Sequence, residues 1–361
     1  MGLQNSKFEI KKEGGIKKMR LLITGGAGFI GSNFVKYVIK KYPDYKVMVL
    51  DALTYAGNLE NFEEEVFKNP KFSFHHGNIC DKDVVENLMR DTDAVVHFAA
   101  ETHVDRSILE AGTFIQTDVY GTYVLLESAK KYNIKKFVHI STDEVYGEAK
   151  SPEGENRPSI ETDPLMPRSP YAASKTGADR LAFSYYTTHK LPVVISRCSN
   201  NYGPNQYPEK LIPLFITNAL ENKPLPVYGS GKNTRDWIYV LDHCEALDIL
   251  LHAQGQDGEV FNIGGGQEFD ILQIGKTILQ MLEKNESLMQ FVIDRPGHVM
   301  RHAVDTTKIK KVFGWQAKID FKEGIKQTVD WYIKNESWWR NIKEKSKEYQ
   351  EFTQKWYEER K

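Results

Sequence analysis

The chain has 361 residues, 40% of them hydrophobic, with 48 Lys and Arg against 49 Asp and Glu. That length suits one large α/β domain with a second lobe, and the balanced charge excludes a global field that would draw the protein onto nucleic acid or an anionic membrane. No apolar run is long enough to span a bilayer, and Cys80, Cys198 and Cys244 show neither pairing nor metal-ligand spacing, as expected of reduced thiols in a cytoplasmic protein that holds no metal.

Residues 1–18 are polar and lysine-rich, lack a signal-peptide core, and read as a flexible leader. Met19 to Gly31, MRLLITGGAGFIG, then runs from an apolar stretch into three glycines spaced three apart. The pattern predicts a strand at Arg20 to Thr24, a tight turn and a helix start, followed by the helical spacing of Phe34, Val35, Val38 and Ile39. Gly25 permits the turn, Gly28 lets backbone N–H groups approach a pyrophosphate, and Gly31 lets the helix lie close on the sheet. The helix N-terminus then faces the anion. A second strand, Lys46 to Leu50, ends in Asp51, 20 residues after Gly31, where a dinucleotide fold places the carboxylate for the ribose hydroxyls.

The third strand, Phe72 to His76, closes on Gly77, Asn78 and Ile79, and Asn78 suits either an adenine contact or a plain turn. The fourth, Ala94 to Phe98, runs into Ala99 and Ala100, small enough for a cofactor to lie against; His103 and Asp105 follow. A helix from about Ile115 to Tyr132 leads to the fifth strand, Lys136 to Ile140, and the polar cluster Ser141, Thr142, Asp143, Glu144 at its carboxyl end, where open α/β sheets bind ligands. Glu148 to Pro170 is a surface excursion, and the next helix carries Tyr171 and Lys175 on one face. Pro192 to Ile195 is a sixth strand, and Val260 to Ile263 a last one before three glycines.

From Asn200 onward the texture is of loops with single polar groups, then helices at Ile271 to Glu283 and Phe321 to Tyr332, with a loop at Asp294 to Val304 between them. The tail, Ser337 to Lys361, reads as an exposed helix with Trp338, Trp339 and Trp356 on an apolar stripe, too weakly basic for nucleic acid. The fold class is a Rossmann-like doubly wound parallel sheet with a smaller C-terminal α/β lobe. Residues 19–199 with 237–268 form the dinucleotide domain, 200–236 with 269–340 the substrate lobe, and 341–361 a charged helical tail.

Tyr171 and Lys175 make chemical sense as a pair if the phenol must lose a proton near neutral pH. A free phenol titrates at about 10, and an ammonium one turn away, beside a positively charged nicotinamide, favours the phenolate. TGGAGFIG, Asp51, Thr142 and Tyr171 with Lys175 resemble the extended short-chain dehydrogenase/reductase superfamily. More narrowly, AAETHVDRS, STDEVYG, RCSNNYGPNQYPEKLIP, RDWIYVLDH, FNIGG and DRPGH resemble the nucleotide-sugar 4,6-dehydratases, over Met19 to about Trp339. Asp143-Glu144 is the most specific part, because epimerases and decarboxylases of the superfamily usually lack that acid pair.

The resemblance implies oxidation by Thr142, Tyr171 and Lys175, with Asp143 as acid and Glu144 as base of elimination. It implies NAD contacts at Phe29, Ile30, Asp51, Thr54, Asn78, Ile79, Thr117 and Asn201, besides the glycine turn, Ala99 and Ala100. It also implies sugar-nucleotide contacts at Glu101, Thr142, Asn200, Lys210, Leu211, Tyr228, Arg235, Asn262, Arg295 and His298, with Arg235 and Arg295 forking onto the diphosphate. The implied reaction is water loss from a nucleotide-activated hexose, dTDP-glucose before UDP-glucose, by a homodimer; a 4-epimerase or decarboxylase is the alternative. Asp118 departs from the superfamily's usual asparagine, Asn78 from a common aspartate, and Val299, Met300 and His302 from the usual acid, arginine and tyrosine.

Overall fold

In chain order the strands are β1 (Arg20–Thr24), β2 (Lys46–Asp51), β3 (Phe72–His76), β4 (Ala94–His97), β5 (Lys136–Thr142), β6 (Val193–Cys198), β7 (Asn200–Tyr202), β8 (Leu225–Tyr228), β9 (Thr234–Tyr239), β10 (Val260–Ile263), β11 (Glu268–Asp270), β12 (Met289–Val292) and β13 (Arg301–His302). The structure, a computed structural model, describes residues 18–151 and 153–358, so the leader expected over residues 1–18 lies, apart from Lys18, outside the described residues.

Seven strands form one parallel sheet in the order β10-β6-β5-β4-β1-β2-β3. β1, β2, β4, β5 and β6 bury nearly every residue, which is why they read as unbroken apolar runs rather than alternating ones. Leu21, Ile23, Val47 and Val96 pack on one face against the helices Phe29–Lys41 and Val240–His252. Leu22, Met48, Val95 and Phe137 pack on the other, where Leu125 and Ala182 come from the helices Thr122–Lys131 and Pro170–His189. The chain leaves β1 toward β2 and β3 and returns on the opposite side at β4, so a crevice opens at the carboxyl ends of β1 and β4.

A second core lies around β9, which pairs with β7 and β13 in parallel and with β11 antiparallel. It is aromatic: Tyr202, Trp237, Phe215, Phe321 and Trp339 are all buried in it. This β9 sheet and the β8–β12 pair face the carboxyl ends of the main sheet and close the crevice from above.

The doubly wound sheet agrees with the sequence expectation, and the departures have local causes. β5 and β6 run past the apolar stretches to Thr142 and Cys198, because the ladder pairs Ser141 with Arg197 and Thr142 with Cys198 whatever their polarity. The helix expected from Ile115 begins at Gly112, and Ile115–Gly121 is a π-helical stretch that turns Asp118 inward, where it is buried. Ile309 and Trp315, within the stretch assigned to the second lobe, belong to the first core. The tail is not an exposed helix: Trp338, Trp339, Tyr349, Phe352 and Trp356 are each no more than 6% exposed. Its apolar stripe is covered by the second core and by the mouth of the crevice.

Beneath the crevice the Arg197 guanidinium forks onto Asp179 at 2.8 and 3.0 Å, and both are buried. Arg197 holds the Asp179 carboxyl down at about 2 against the opposing push of burial, and it also donates to the Tyr146 hydroxyl, which donates to Asn262. Asp179→Asn leaves a buried guanidinium without its counter-charge and is expected to lower unfolding free energy by about 3–5 kcal/mol, read by urea denaturation; a loss below about 1 kcal/mol would show the pair is solvated in practice.

Candidate active site

The crevice is a cleft of about 400 Å³ lined from both cores. At its floor Gly25 has φ +69°, and an added Cβ would stand 2.5 Å from the Ala99 nitrogen. A Cβ on Gly31 would stand 2.2 Å from the Gly25 carbonyl, so this glycine makes room for the turn itself rather than for the sheet. Gly28 caps the helix Phe29–Lys41 without a side-chain hydrogen bond, leaving the first-turn N–H groups turned to the cleft. Asp51 closes the next strand end: its two carboxylate oxygens accept from the Ala27 and Leu53 nitrogens at 2.9 and 2.8 Å. Each oxygen keeps a second lone pair for a hydroxyl. Phe29, Ile30, Thr54, Asn78, Ile79, Ala99, Ala100 and Thr117 line the same half. Asn78 is a turn residue as well, accepting from the Cys80 nitrogen at 2.8 Å.

Thr142 is the last residue of β5 and caps a 3₁₀ turn, Asp143–Tyr146, accepting from the Glu144 nitrogen at 3.3 Å. A 3₁₀ turn rotates successive side chains by a third of a circle, so Asp143 and Glu144 diverge although adjacent. Burial, the Glu144 carboxylate and Asp236 push Asp143 well above the usual carboxyl range, and its Oδ2 is buried with no partner among the described residues. Burial raises Glu144 as well, but Arg295, Arg235 and Lys210 oppose the shift and favour its charged form. Two adjacent acids thus sit in unlike fields, one held as the acid and the other supported as the carboxylate.

Tyr171 and Lys175 project from the helix Pro170–His189, whose start is fixed by Ser169 accepting from the Ala172 nitrogen and by Pro170 in the first turn. The Tyr171 phenol lies beside Thr142, whose hydroxyl favours the phenolate. The Lys175 ammonium donates to the Ile140 carbonyl at 2.7 Å. The phenol is not lowered by the protein's own charges, as the sequence reading expected of Lys175: burial and the Glu144 carboxylate push it well above its usual value. Asp118 lies behind the pair, accepting from the Glu101 nitrogen at 2.8 Å and the Ser174 hydroxyl at 2.5 Å, with its carboxyl pushed up to about 6 by burial.

The upper half is cationic. Arg235 on β9 is buried, and burial and the neighbouring Arg295 lower it to about 10. Lys210 precedes the helix Leu211–Leu220, and burial lowers its amine to about 8 despite Glu209 and Glu144 nearby. Two guanidiniums and an ammonium, one buried and two half-buried, stand within reach of one another and repel, a cost that a bound diphosphate removes. Tyr228 ends β8 and His298 stands edge-on to its ring at 6.2 Å. Glu101, Leu211 and Asn200 also line the cleft, the last with a buried Oδ1 that has no partner among the described residues.

The structure thus brings together every residue that the sequence nominated except Asn262. That side chain is fully buried and tied to Tyr146, Ser159 and Asp305, below the cleft floor. Asn201 reaches the cleft, but its side chain is held by Ser199 and His243. Sequence reasoning missed Glu209, Gln206, Trp237 and Tyr357 as lining residues and gave Asp105 no role. Asp105 carried one signal, an acid two residues past a strand-end loop; Tyr357 carried none, being more than a hundred residues from its neighbour Tyr228.

The family model described as GDP-mannose 4,6 dehydratase matches residues 22–328. A dTDP-glucose 4,6-dehydratase of Actinoplanes sp. is 48% identical over 326 residues, covering 89% of this chain and all of the relative. DesIV, a dTDP-glucose 4,6-dehydratase of Streptomyces venezuelae crystallised with NAD and dTDP bound, superposes with a TM-score of 0.86 at 46% identity, over 90% of this chain and 100% of its own. A dTDP-glucose 4,6-dehydratase of Bacillus anthracis in complex with NAD gives 0.82 at 47% identity, over 90% and 99%.

An amine lowered to about 8 is charged below that pH and neutral above it, whereas a bound anion keeps it charged. Affinity for a nucleoside diphosphate sugar is therefore expected to fall by up to about tenfold as pH rises from about 7 to 9, and Lys210→Met is expected to flatten that dependence. Titration calorimetry at the two pH values checks both; an unchanged slope in the variant would exclude Lys210 as the titrating group.

Proposed function

This chain belongs to the GDP-mannose 4,6 dehydratase family, and from that premise and the geometry of the cleft we propose that Thr142, Asp143, Glu144, Tyr171 and Lys175 carry its chemistry. The protein is an NAD-dependent hydro-lyase that converts dTDP-glucose to the 4-keto-6-deoxy sugar nucleotide. The observation that supports the residue assignment most is the pair of adjacent carboxyls in unlike fields, Asp143 pushed far up and Glu144 steadied by three cations.

NAD, when bound, supplies a hydride acceptor and a positive charge beside Tyr171. Gly28 leaves the helix N-terminus open to the pyrophosphate, and Asp51 accepts from ribose hydroxyls while repelling a 2′-phosphate, which selects NAD over NADP. Tyr171, beside Thr142 and one helical turn from Lys175, takes the proton of the C4 hydroxyl as the C4 hydrogen departs as hydride. The resulting C4 ketone acidifies C5–H, and Glu144 removes that proton. Asp143 gives its proton to the C6 hydroxyl, which leaves as water, and the C5–C6 double bond forms. Hydride at C6 and a proton from Glu144 at C5 complete the product, and Tyr171 gives up its proton to solvent as Asp143 regains one, so that one water is lost with no net redox change. Arg235, Arg295 and Lys210 hold the diphosphate, and Tyr228 packs against the nucleotide.

The division into an NAD domain of residues 19–199 with 237–268 and a sugar-nucleotide lobe of 200–236 with 269–340 is our assignment, with Ile309 and Trp315 returned to the first core. Among the described residues no helix is long and apolar enough to cross a membrane, and the three free cysteines suit a reducing cytoplasm. Self-association as a homodimer follows from Ile115, Tyr120 and Tyr123, 53%, 44% and 43% exposed, on the helical stretch beside Pro170–His189. Light scattering at micromolar concentration is expected to give twice the chain mass, and a monomer there removes this part.

Substrate deuterated at C4 tests the mechanism. With dTDP-glucose the label is expected on C6 of the same molecule, by mass spectrometry, and UDP-glucose run in parallel is expected to turn over far more slowly. Glu144→Gln is expected to slow turnover by about a hundredfold to ten-thousandfold while dTDP-glucose binding persists. Label retained at C4 or lost to solvent, or a Glu144→Gln enzyme with normal turnover, points instead to an epimerase.

A further inference from the structure

Asp105 lies in the second position of the short helix Val104–Leu109 and is 2% exposed, yet it lines the cleft. Both of its oxygens are engaged by residues remote in sequence. Oδ1 accepts from Arg295 Nη1 at 2.9 Å, and Oδ2 accepts from the Tyr228 hydroxyl at 2.9 Å. The two partners come from neighbouring elements, Arg295 from the loop after β12 and Tyr228 from the end of β8; the β8–β12 ladder sets Tyr228 opposite Val292 and so relates their backbones, and Asp105 is the group that joins their side chains. Arg295 keeps its Nε buried with no acceptor among the described residues, so the edge not used by Asp105 remains available for a ligand. The Tyr228 ring is flanked by His298 and by Tyr357, and the Trp356 indole donates to its hydroxyl.

The backbone reaches this position with strain. His103, just before the helix, has φ +116°, a region that side-chain-bearing residues rarely adopt and that clusters at functional sites. Arg106, the next residue after Asp105, forks onto Glu209 at 3.0 and 2.7 Å and is sandwiched between the rings of Tyr55 and Phe352, which pins the helix on its far side. Charge points the same way. Arg295 and Arg235 repel each other, and a carboxylate held on Arg295 lets two guanidiniums stand on one side of the cleft before any anion arrives.

We propose that Asp105 is the positioning residue of the nucleotide half: it holds Arg295 and Tyr228 in the arrangement that receives a nucleoside diphosphate, without touching the reacting atoms itself. This rests on reading the cleft as a nucleotide-sugar site. Asp105 acts through two other side chains, so its loss falls on binding rather than on the chemical steps, and the part of its effect that depends on charge disappears once Arg295 is gone.

Asp105→Asn keeps shape and volume but replaces the charge and one acceptor. Measured on protein with its NAD bound, its Kd for dTDP and its KM for dTDP-glucose are expected to rise about 10- to 100-fold, the range for losing charged hydrogen bonds, with kcat within about fivefold. In an Arg295→Ala background the same substitution is expected to add less than about threefold, because the ion pair it removes is already absent and the amide oxygen still accepts from the Tyr228 hydroxyl. A wild-type protein that binds no dTDP would sink the nucleotide-site reading and this inference with it. Wild-type binding with an unchanged Asp105→Asn Kd, or effects that multiply in the double variant, would overturn the inference alone. Should Asp105→Asn lose its NAD or its fold, Asp105→Ser is measured in the same way, and loss of both in that variant too assigns Asp105 to the fold and overturns the proposal.

Discussion

At Gly25 and Gly31, on the floor of the cleft, no side chain fits. The turn after β1 must reverse within van der Waals distance of the end of β4, and the following helix must begin against the turn's own carbonyl. That contact fixes the helix N-terminus at the switch point of the sheet, and the cleft, the ribose carboxylate and the ends of β4 and β5 take their places from it. A Cβ at either position would move the anion-binding turn rather than merely fill space.

Above that floor the site is an exercise in unlike fields within a small volume. Asp143, Glu144, Asp105 and Glu209 face Arg235, Arg295, Lys210 and Lys175, all buried or half-buried. Burial alone would neutralise each of these groups. What separates them is which partner stands beside which: Asp143 faces other acids, whereas Glu144 faces cations. The same low dielectric keeps Tyr171 protonated in the protein by itself, so phenolate chemistry needs a positive charge that the chain does not provide.

The last helices connect stability to the site. Trp338, Trp339 and Tyr349 complete the second core, while Trp356 and Tyr357 pack on Tyr228 at the mouth of the cleft. The aromatic stripe that made the tail look like an isolated amphipathic helix is in fact its docking face. Polar residues between the tryptophans satisfy water on one side and carry no information about what covers the other.

Much of this protein is legible without coordinates because its signals are local. A parallel strand buried on both faces reads as an apolar run, a dinucleotide turn must have glycine where a Cβ collides, and an acid after the second strand has few other uses in that context; hence β1, β2, β4, β5 and β6, Gly25, Gly31 and Asp51 could be read directly. Thr142, Asp143, Glu144, Tyr171 and Lys175 were legible through family resemblance. What the chain's order could not encode is which distant groups meet. Asn262 sits in a matching motif, yet its side chain is bonded beneath the cleft, and Asp105 meets Tyr228 and Arg295 from more than a hundred residues away. The direction of each pKa shift likewise depends on burial and on through-space neighbours, quantities that exist only once the second core has closed over the sheet.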